Sequence, residues 1–425
     1  MDKRYISGWG RNKFYKVKCF NFTKKNFIKI KNFIPRGNGN SYGDTSINDN
    51  VLIQKKKRII FFDEKKGIIK VETGITIGEI LEHTVKKNWI LKVIPGAKQV
   101  TVAGAIANDI HGKNHYKSGC FSKHLIEFSI LTQKKGQLNC SLTENEDLFK
   151  LTCGGIGLTG VIDTATIALK KIKSSFLITK TIKCESINSM IKIFEKNFDS
   201  DYIVGWYNFF SKKDKFIISV SNHTVQKNLK LSDSKQINNF IPSIFLNNLT
   251  IKLFNYFYYF LNKNSKKVEF YKKFFFPLDR IKNWNKIYGK NGFFQYQFVI
   301  PEKNSAKNLK KIISLIKKSK FLPYLAVVKK MGNKNNNYLS FPIEGYSFAL
   351  DFKNEIGIRH FFNKLDKEII KMKGRIYLAK DSNLSSENFS KMYPKVEEMK
   401  KNLKKYNVNM KLCSLQSTRL NISNL

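Results

Sequence analysis

The chain has 425 residues, 42% hydrophobic and 13% aromatic with only 8 prolines, which excludes a disordered or low-complexity protein and gives room for two domains of ordinary size. Lys and Arg number 77 against 32 Asp and Glu, a formal charge of +45. The lysines run through every segment beside equally pervasive Asn, Ile and Phe, so compositional drift is favoured over a clustered nucleic-acid site.

In chain order, the first twenty residues contain no apolar signal core. From 58 to 92 the runs "RIIFFD" and "GIIKVETG" alternate with period two, and "TIGEILEHTVKKNW" sets Ile77, Ile80, Leu81 and Val85 on one helical face. "FSKHLIEFSILTQKKGQLNC" reads as strand, turn and strand. Beyond about residue 172 the stretches lengthen: "INSMIKIFEKNF" and "AKNLKKIISLIKKSK" as helices, "GFFQYQFVIP" as a strand. The spacing of "LFNYFYYFLN" predicts a helix packed in the core, with a lipid-facing helix as the alternative; the run 251–262 is far short of the ~20 residues of a membrane span. The fold class is therefore α+β, with domains at 1–172 and 173–374 and a segment 375–425 returning to the first. Cys19, Cys120, Cys140, Cys153, Cys184 and Cys413 show no C-x-x-C pair, so the expectation is reduced thiols, no metal and a cytoplasmic chain, at most peripheral to a membrane.

Three glycine-bearing loops stand out. "IPRGNGNSYGD" (34–44) is one residue off a dinucleotide fingerprint, and "GGIGLTG" (154–160) matches G-x-G-x-x-G at Gly155, Gly157 and Gly160. The β-branched "VIDTATIALK" follows where that fingerprint needs a helix. "PGAKQVTVAGAIA" (95–107) is the third. Singly each reads as a set of tight turns. Together, flanked by strands, they describe one groove whose free N–H groups would cradle the diphosphate of an extended cofactor.

These loops, with "AIANDIHGKNHYKSG", resemble the FAD-binding domain of the vanillyl-alcohol-oxidase or PCMH type. The likeness continues through "GWGR", "FFPLDRIKNWNKIYG", "GFFQYQFVIP", "LSFPIEGYSFALDF", "GRIYLAKDS" and "MYPKV", and is nearest to the branch acting on polyprenyl-phosphate-linked pentoses. It implies a PCMH-type FAD domain followed by an α+β substrate domain built on an antiparallel sheet. FAD contacts would fall on Arg36, Gly37, Asn38, Gly39, Asn40, Ser41, Tyr42, Gly43, Asp44, Gly96, Thr101, Val102, Ala103, Gly104, Asn108, Gly157, Gly160, Ile162 and Tyr377. Covalently flavinylated relatives carry His where this chain has Asn40, which implies a non-covalent flavin. The resemblance places His111, Lys113 and Lys380 at the reacting centre and Tyr42, Lys113, Gln295, Gln297, Lys329 and Ser347 on the substrate. Imidazole is an acceptor near neutral pH, and the two ammonium groups would neutralise a phosphate or charge at the flavin. Asp109, Asn114 and His115 read as residues that fix the loop. Ser347 and Ala349 stand where the branch has Asn and a reactive Cys, and Met331 where it has an aromatic residue.

The activity so implied is oxidation of the pentose 2-hydroxyl to a keto group, with a partner NAD(P)H-dependent keto-reductase completing an epimerisation. Two readings stay open beside it: an oxidase of a soluble alditol or aldonolactone, and a non-enzymatic basic protein that binds membrane or nucleic acid.

Overall fold

The computed structural model describes residues 2–225 and 246–423. Two sheets form the amino-terminal half. In the first, strands Asp2–Ile6, Tyr15–Asn21, Asn50–Ile53 and Phe33–Arg36 lie in that spatial order, and Asn50–Ile53 runs parallel to both neighbours. In the second, the long strand Val161–Lys171 pairs antiparallel with Ile68–Glu72, Leu125–Thr132 and Trp89–Leu91. Helix Ile77–Thr84 begins in a capping box, with Thr76 accepting from the Glu79 N–H and the Glu79 side chain accepting from the Thr76 N–H. It buries Ile77, Ile80, Leu81 and, just past its end, Val85, as the periodicity requires. "GGIGLTG" ends in a strand and not a helix, so its dinucleotide match is a decoy.

The third sheet is eight-stranded and antiparallel, ordered Ser265–Phe270, Phe176–Cys184, Phe216–His223, Tyr202–Tyr207, Leu325–Met331, Gly345–Lys353, Phe293–Pro301 and Arg375–Ile376. Because side chains alternate across a strand, one face carries Tyr296, Phe298, Tyr346 and Phe348 and packs on helices Ile187–Lys196 and Ile358–Lys371, through Phe194 against Tyr346 and Phe362 against Tyr296. The other face is left to line a cleft. After Ile376 the chain turns to the first sheet: Phe33 exchanges backbone hydrogen bonds with Lys411 and Cys413, and Arg419 pairs with Asp44 and Asp381.

Helix Asn248–Leu261 departs from the core reading of its sequence. Only Asn255 and Tyr259 are buried, and with Tyr258, which packs on Trp206, they form the one side on which the helix touches the sheet.

Candidate active site

The register of three neighbouring strands builds the cleft wall in rows. Gln295 lies opposite Asp351, which lies opposite Leu325; Gln297 is opposite Ala349 and then Val327; Val299 is opposite Ser347 and then Lys329. Facing this wall are the three small-residue loops. The cleft between them holds about 1920 Å³ of empty space, part of it open to solvent.

The loop end of the cleft is built for an anion. Backbone N–H groups of Gly37, Asn38, Gly39, Asn40 and Ser41 donate to no acceptor among the described residues, an arrangement that forms an electropositive concavity. Beneath them the Arg36 guanidinium donates to Ser46 and to the Ser7 carbonyl and has no carboxylate partner among the described residues. Burial lowers its pKa to about 10. Gly39 has φ +68, and a Cβ there would lie 2.0 Å from Arg36 Nη2, so only glycine lets the guanidinium sit under the loop. Opposite, Thr101 caps helix Val102–Ala107 through the Gly104 N–H, and a Cβ on Gly96 would project into open space. Asn40 Nδ2, Thr45 Oγ1, Asn108 Oδ1 and His111 Nδ1 are buried at this cleft without a hydrogen-bond partner among the described residues. Buried polar atoms are rarely left so unless a ligand completes them.

The other end carries three largely buried amines. Burial is the leading cause in each case: it brings Lys113 down to about 7, helped by Lys329; Lys329 down to about 8; and Lys380 down to about 7, opposed by the attraction of Asp351. Lys380 Nζ lies 3.8 Å from the centre of the Tyr42 ring, and Lys113 Nζ donates to the Phe274 carbonyl. His111 is held between Tyr377 and Phe341, with ring centres 4.9 and 5.4 Å away. Gln297 Nε2 donates to His111 Nε2 at 2.9 Å, which leaves the ring proton on Nδ1. Burial, Lys329, His115 and Lys380 all push the imidazole well below its usual range, so it stays neutral.

Residues 23–141 match the FAD binding domain family. Over 389 residues the chain is 33% identical to the decaprenylphosphoryl-β-D-ribose oxidase of Mycolicibacterium smegmatis, which covers 86% of this chain and 84% of that protein. The chain belongs to that family of FAD-dependent oxidoreductases. A stretch of 133 residues is 27% identical to the L-gulonolactone oxidase of Mus musculus, covering 31% of this chain and 30% of that one. The Delta(24)-sterol reductase of Homo sapiens is 28% identical over 116 residues, covering 27% and 22%. The oxidoreductase is therefore similar to the ribose oxidase over most of its length and to the other two over less than a third of it.

FAD fits this cleft by the observations above: a row of free amides for its diphosphate, an unneutralised guanidinium beneath them and orphaned polar atoms along the wall. Bound, it supplies a hydride acceptor. Arg36, Gly37, Asn38, Gly39, Asn40, Ser41, Tyr42, Gly96, Thr101, Ala103, Gly104, Asn108, Gly157, Gly160, Ile162 and Tyr377 line the cleft, as do His111, Lys113, Gln295, Gln297, Lys329 and Lys380.

Four expected contacts lie elsewhere. Gly43 backs onto the Asp381 carbonyl, 2.0 Å from where its Cβ would be. Asp44 is engaged by Arg419. Val102 is fully buried in the core. Ser347 stands behind Gln297, whose Nε2 donates to its hydroxyl at 3.2 Å, so it holds the amide and does not touch the cleft. The loop-fixing residues do what their types suggest: Asp109 accepts from the Ser122 N–H and from Asn335 and Asn337, Asn114 donates to the Lys92 carbonyl, and His115 Nδ1 accepts from the Gly332 N–H.

Asp351 escaped the sequence reading. It is fully buried, accepts from Gln295 Nε2 at 2.5 Å, and burial raises its carboxyl to about 7. Period-two counting from Ser347 through Ala349 reaches it, which is the signal that would have found it.

Proposed function

We propose that this oxidoreductase oxidises the 2-hydroxyl of a polyprenyl-phosphate-linked pentose to a keto group. Bound FAD would supply the hydride acceptor for the carbinol carbon, and the neutral amine of Lys380 would take the hydroxyl proton. The observation that carries the reading is the gathering in one cleft of hydrogen-bonding amides, Gln295 and Gln297, with three largely buried amines, Lys113, Lys329 and Lys380, whose pKa values burial lowers toward neutrality. An amine at about 7 is half neutral at working pH, as a general base requires. His111 serves otherwise: its Nε2 is already occupied by Gln297, so it orients that amide and keeps the sugar face dry. Lys113 and Lys329 suit the phosphate, whose arrival favours their ammonium forms. Apolar Phe275, Pro277, Leu278 and Trp284 also line the cleft, compatible with a prenyl chain leaving the site.

FAD is held without a covalent bond, since Asn40 offers no nucleophile. The 2-keto product would be consumed by an NAD(P)H-dependent keto-reductase, giving the arabinose epimer. The deciding experiment is anaerobic mixing with a polyprenylphosphoryl ribose, followed by flavin absorbance. Bleaching by that lipid and not by L-gulonolactone or an alditol supports the reading. Bleaching by the soluble sugars alone overturns it in favour of a lactone or alditol oxidase.

A further inference from the structure

Helix Asn248–Leu261 shows water a surface that a soluble helix ordinarily hides. Leu249, Leu253, Phe254, Phe257, Phe260 and Leu261 are each at least half exposed, and the helix contains one charged residue, Lys252. Contiguous apolar patches of this kind mark an interaction site. We infer that this helix lies in the interfacial plane of an anionic lipid bilayer and anchors the enzyme there.

Charge selects the occupant. No carboxylate occurs between residues 248 and 264. Lys183 and Lys215 reach the same Tyr259 ring, 4.0 and 4.6 Å from its centre; Glu185 accepts from the Tyr259 hydroxyl at 3.2 Å, and neither lysine is in an ion pair among the described residues. Lys252 and Lys263 are exposed at opposite ends of the helix. An apolar face edged by unpaired lysines matches a headgroup layer with negative lipid. A second copy of a chain carrying +45 is repelled from the same face.

The anchor also meets the cleft. Trp206 lies opposite Val327 in the sheet and so shares its face, and Val327 lines the cleft. The Trp206 ring packs on Tyr258 of the helix at 5.0 Å. A bilayer in contact with the helix therefore sits beside the wall where substrate would bind. The anchor stands on its own observations; its use in turnover rests on the proposed lipid-linked substrate.

The test is co-sedimentation of FAD-loaded enzyme with vesicles of phosphatidylcholine alone and of phosphatidylcholine with phosphatidylglycerol. Binding to the anionic vesicles is expected, weakened by 0.5 M salt and reduced at least tenfold in Phe254→Ser/Phe257→Ser/Phe260→Ser, with flavin absorbance and melting temperature preserved. Leu261→Glu, at an exposed helix end, serves if the triple variant does not fold. Equal sedimentation of wild type and variant overturns the anchor, as does no sedimentation of wild type, or a dimer in light scattering that the variant dissolves. Turnover of a lipid-linked pentose without vesicle binding rejects the anchor alone. Vesicle binding without flavin bleaching by any lipid-linked sugar rejects the substrate and keeps the anchor.

Discussion

Replacing Lys380 by Met is expected to stabilise the flavin-free protein while disabling it. The side chain is largely buried at the cleft, and its amine is brought from 10.5 down to about 7. Between those values the unfolded chain holds a proton that the folded chain releases, so stability rises with pH across that window. At pH 7 the penalty on the native state is about 4 kcal/mol, and at pH 9.5 about 1 kcal/mol, at ~1.36 kcal/mol per tenfold. Methionine keeps the length of the side chain and removes the charge. With ~2.1 cal/mol/K of unfolding entropy per residue, the flavin-free variant should melt about 5 °C above wild type at pH 7, and the gain should shrink by about 3 kcal/mol at pH 9.5. Differential scanning fluorimetry of flavin-free protein at both pH values measures this. Bound FAD should narrow the gap by giving the ammonium a partner, and reduction of the flavin by substrate should slow at least a hundredfold, an effect of about 2.7 kcal/mol. A variant that melts lower at pH 7, or gains equally at both pH values, would refute the reasoning.

Gly39→Ala sets a Cβ 2.0 Å from Arg36 Nη2 at a φ of +68, and is expected to weaken FAD binding at least tenfold in a fluorescence titration while the second domain stays folded. Gln297→Leu removes the donor to His111 Nε2 and should cost about 1–3 kcal/mol of stability by denaturant titration, with Ser347→Ala costing less because it leaves that bond in place. Acid precipitation of the wild-type enzyme should release all flavin to the supernatant; yellow colour retained in the pellet would contradict non-covalent attachment. Arg419→Met strands the buried carboxylates Asp44 and Asp381 and should destabilise by about 3–5 kcal/mol in chemical denaturation.

What could be read from the sequence was what depends on near neighbours. Ile77, Ile80, Leu81 and Val85 declare a buried helical face by spacing alone, and "VIDTATIALK" declares a strand by its β-branched residues, which disarmed the G-x-G-x-x-G match. The alternation that set Gln295 and Gln297 on one face is likewise local. The misses involve partners far apart in the chain. Asp44 reads as a loop acid beside glycines, but its partner is Arg419. Ser347 reads as a wall residue until the register puts Gln297 in front of it. "LFNYFYYFLN" has the composition of a core helix, and only the contact along Asn255, Tyr258 and Tyr259 reveals that most of it faces outward.

The pairing of Phe33 with Lys411 and Cys413, and of Asp44 with Arg419, also bears on biosynthesis. The loop between Phe33 and Asp44 is made before the residues that brace it, which follow some 375 positions later. Domains that close on their own sequence can mature while translation continues. Here the brace on that loop is complete only once residues 411–419 have been made, so a nascent chain stalled before them is expected to hold FAD more weakly than the full chain.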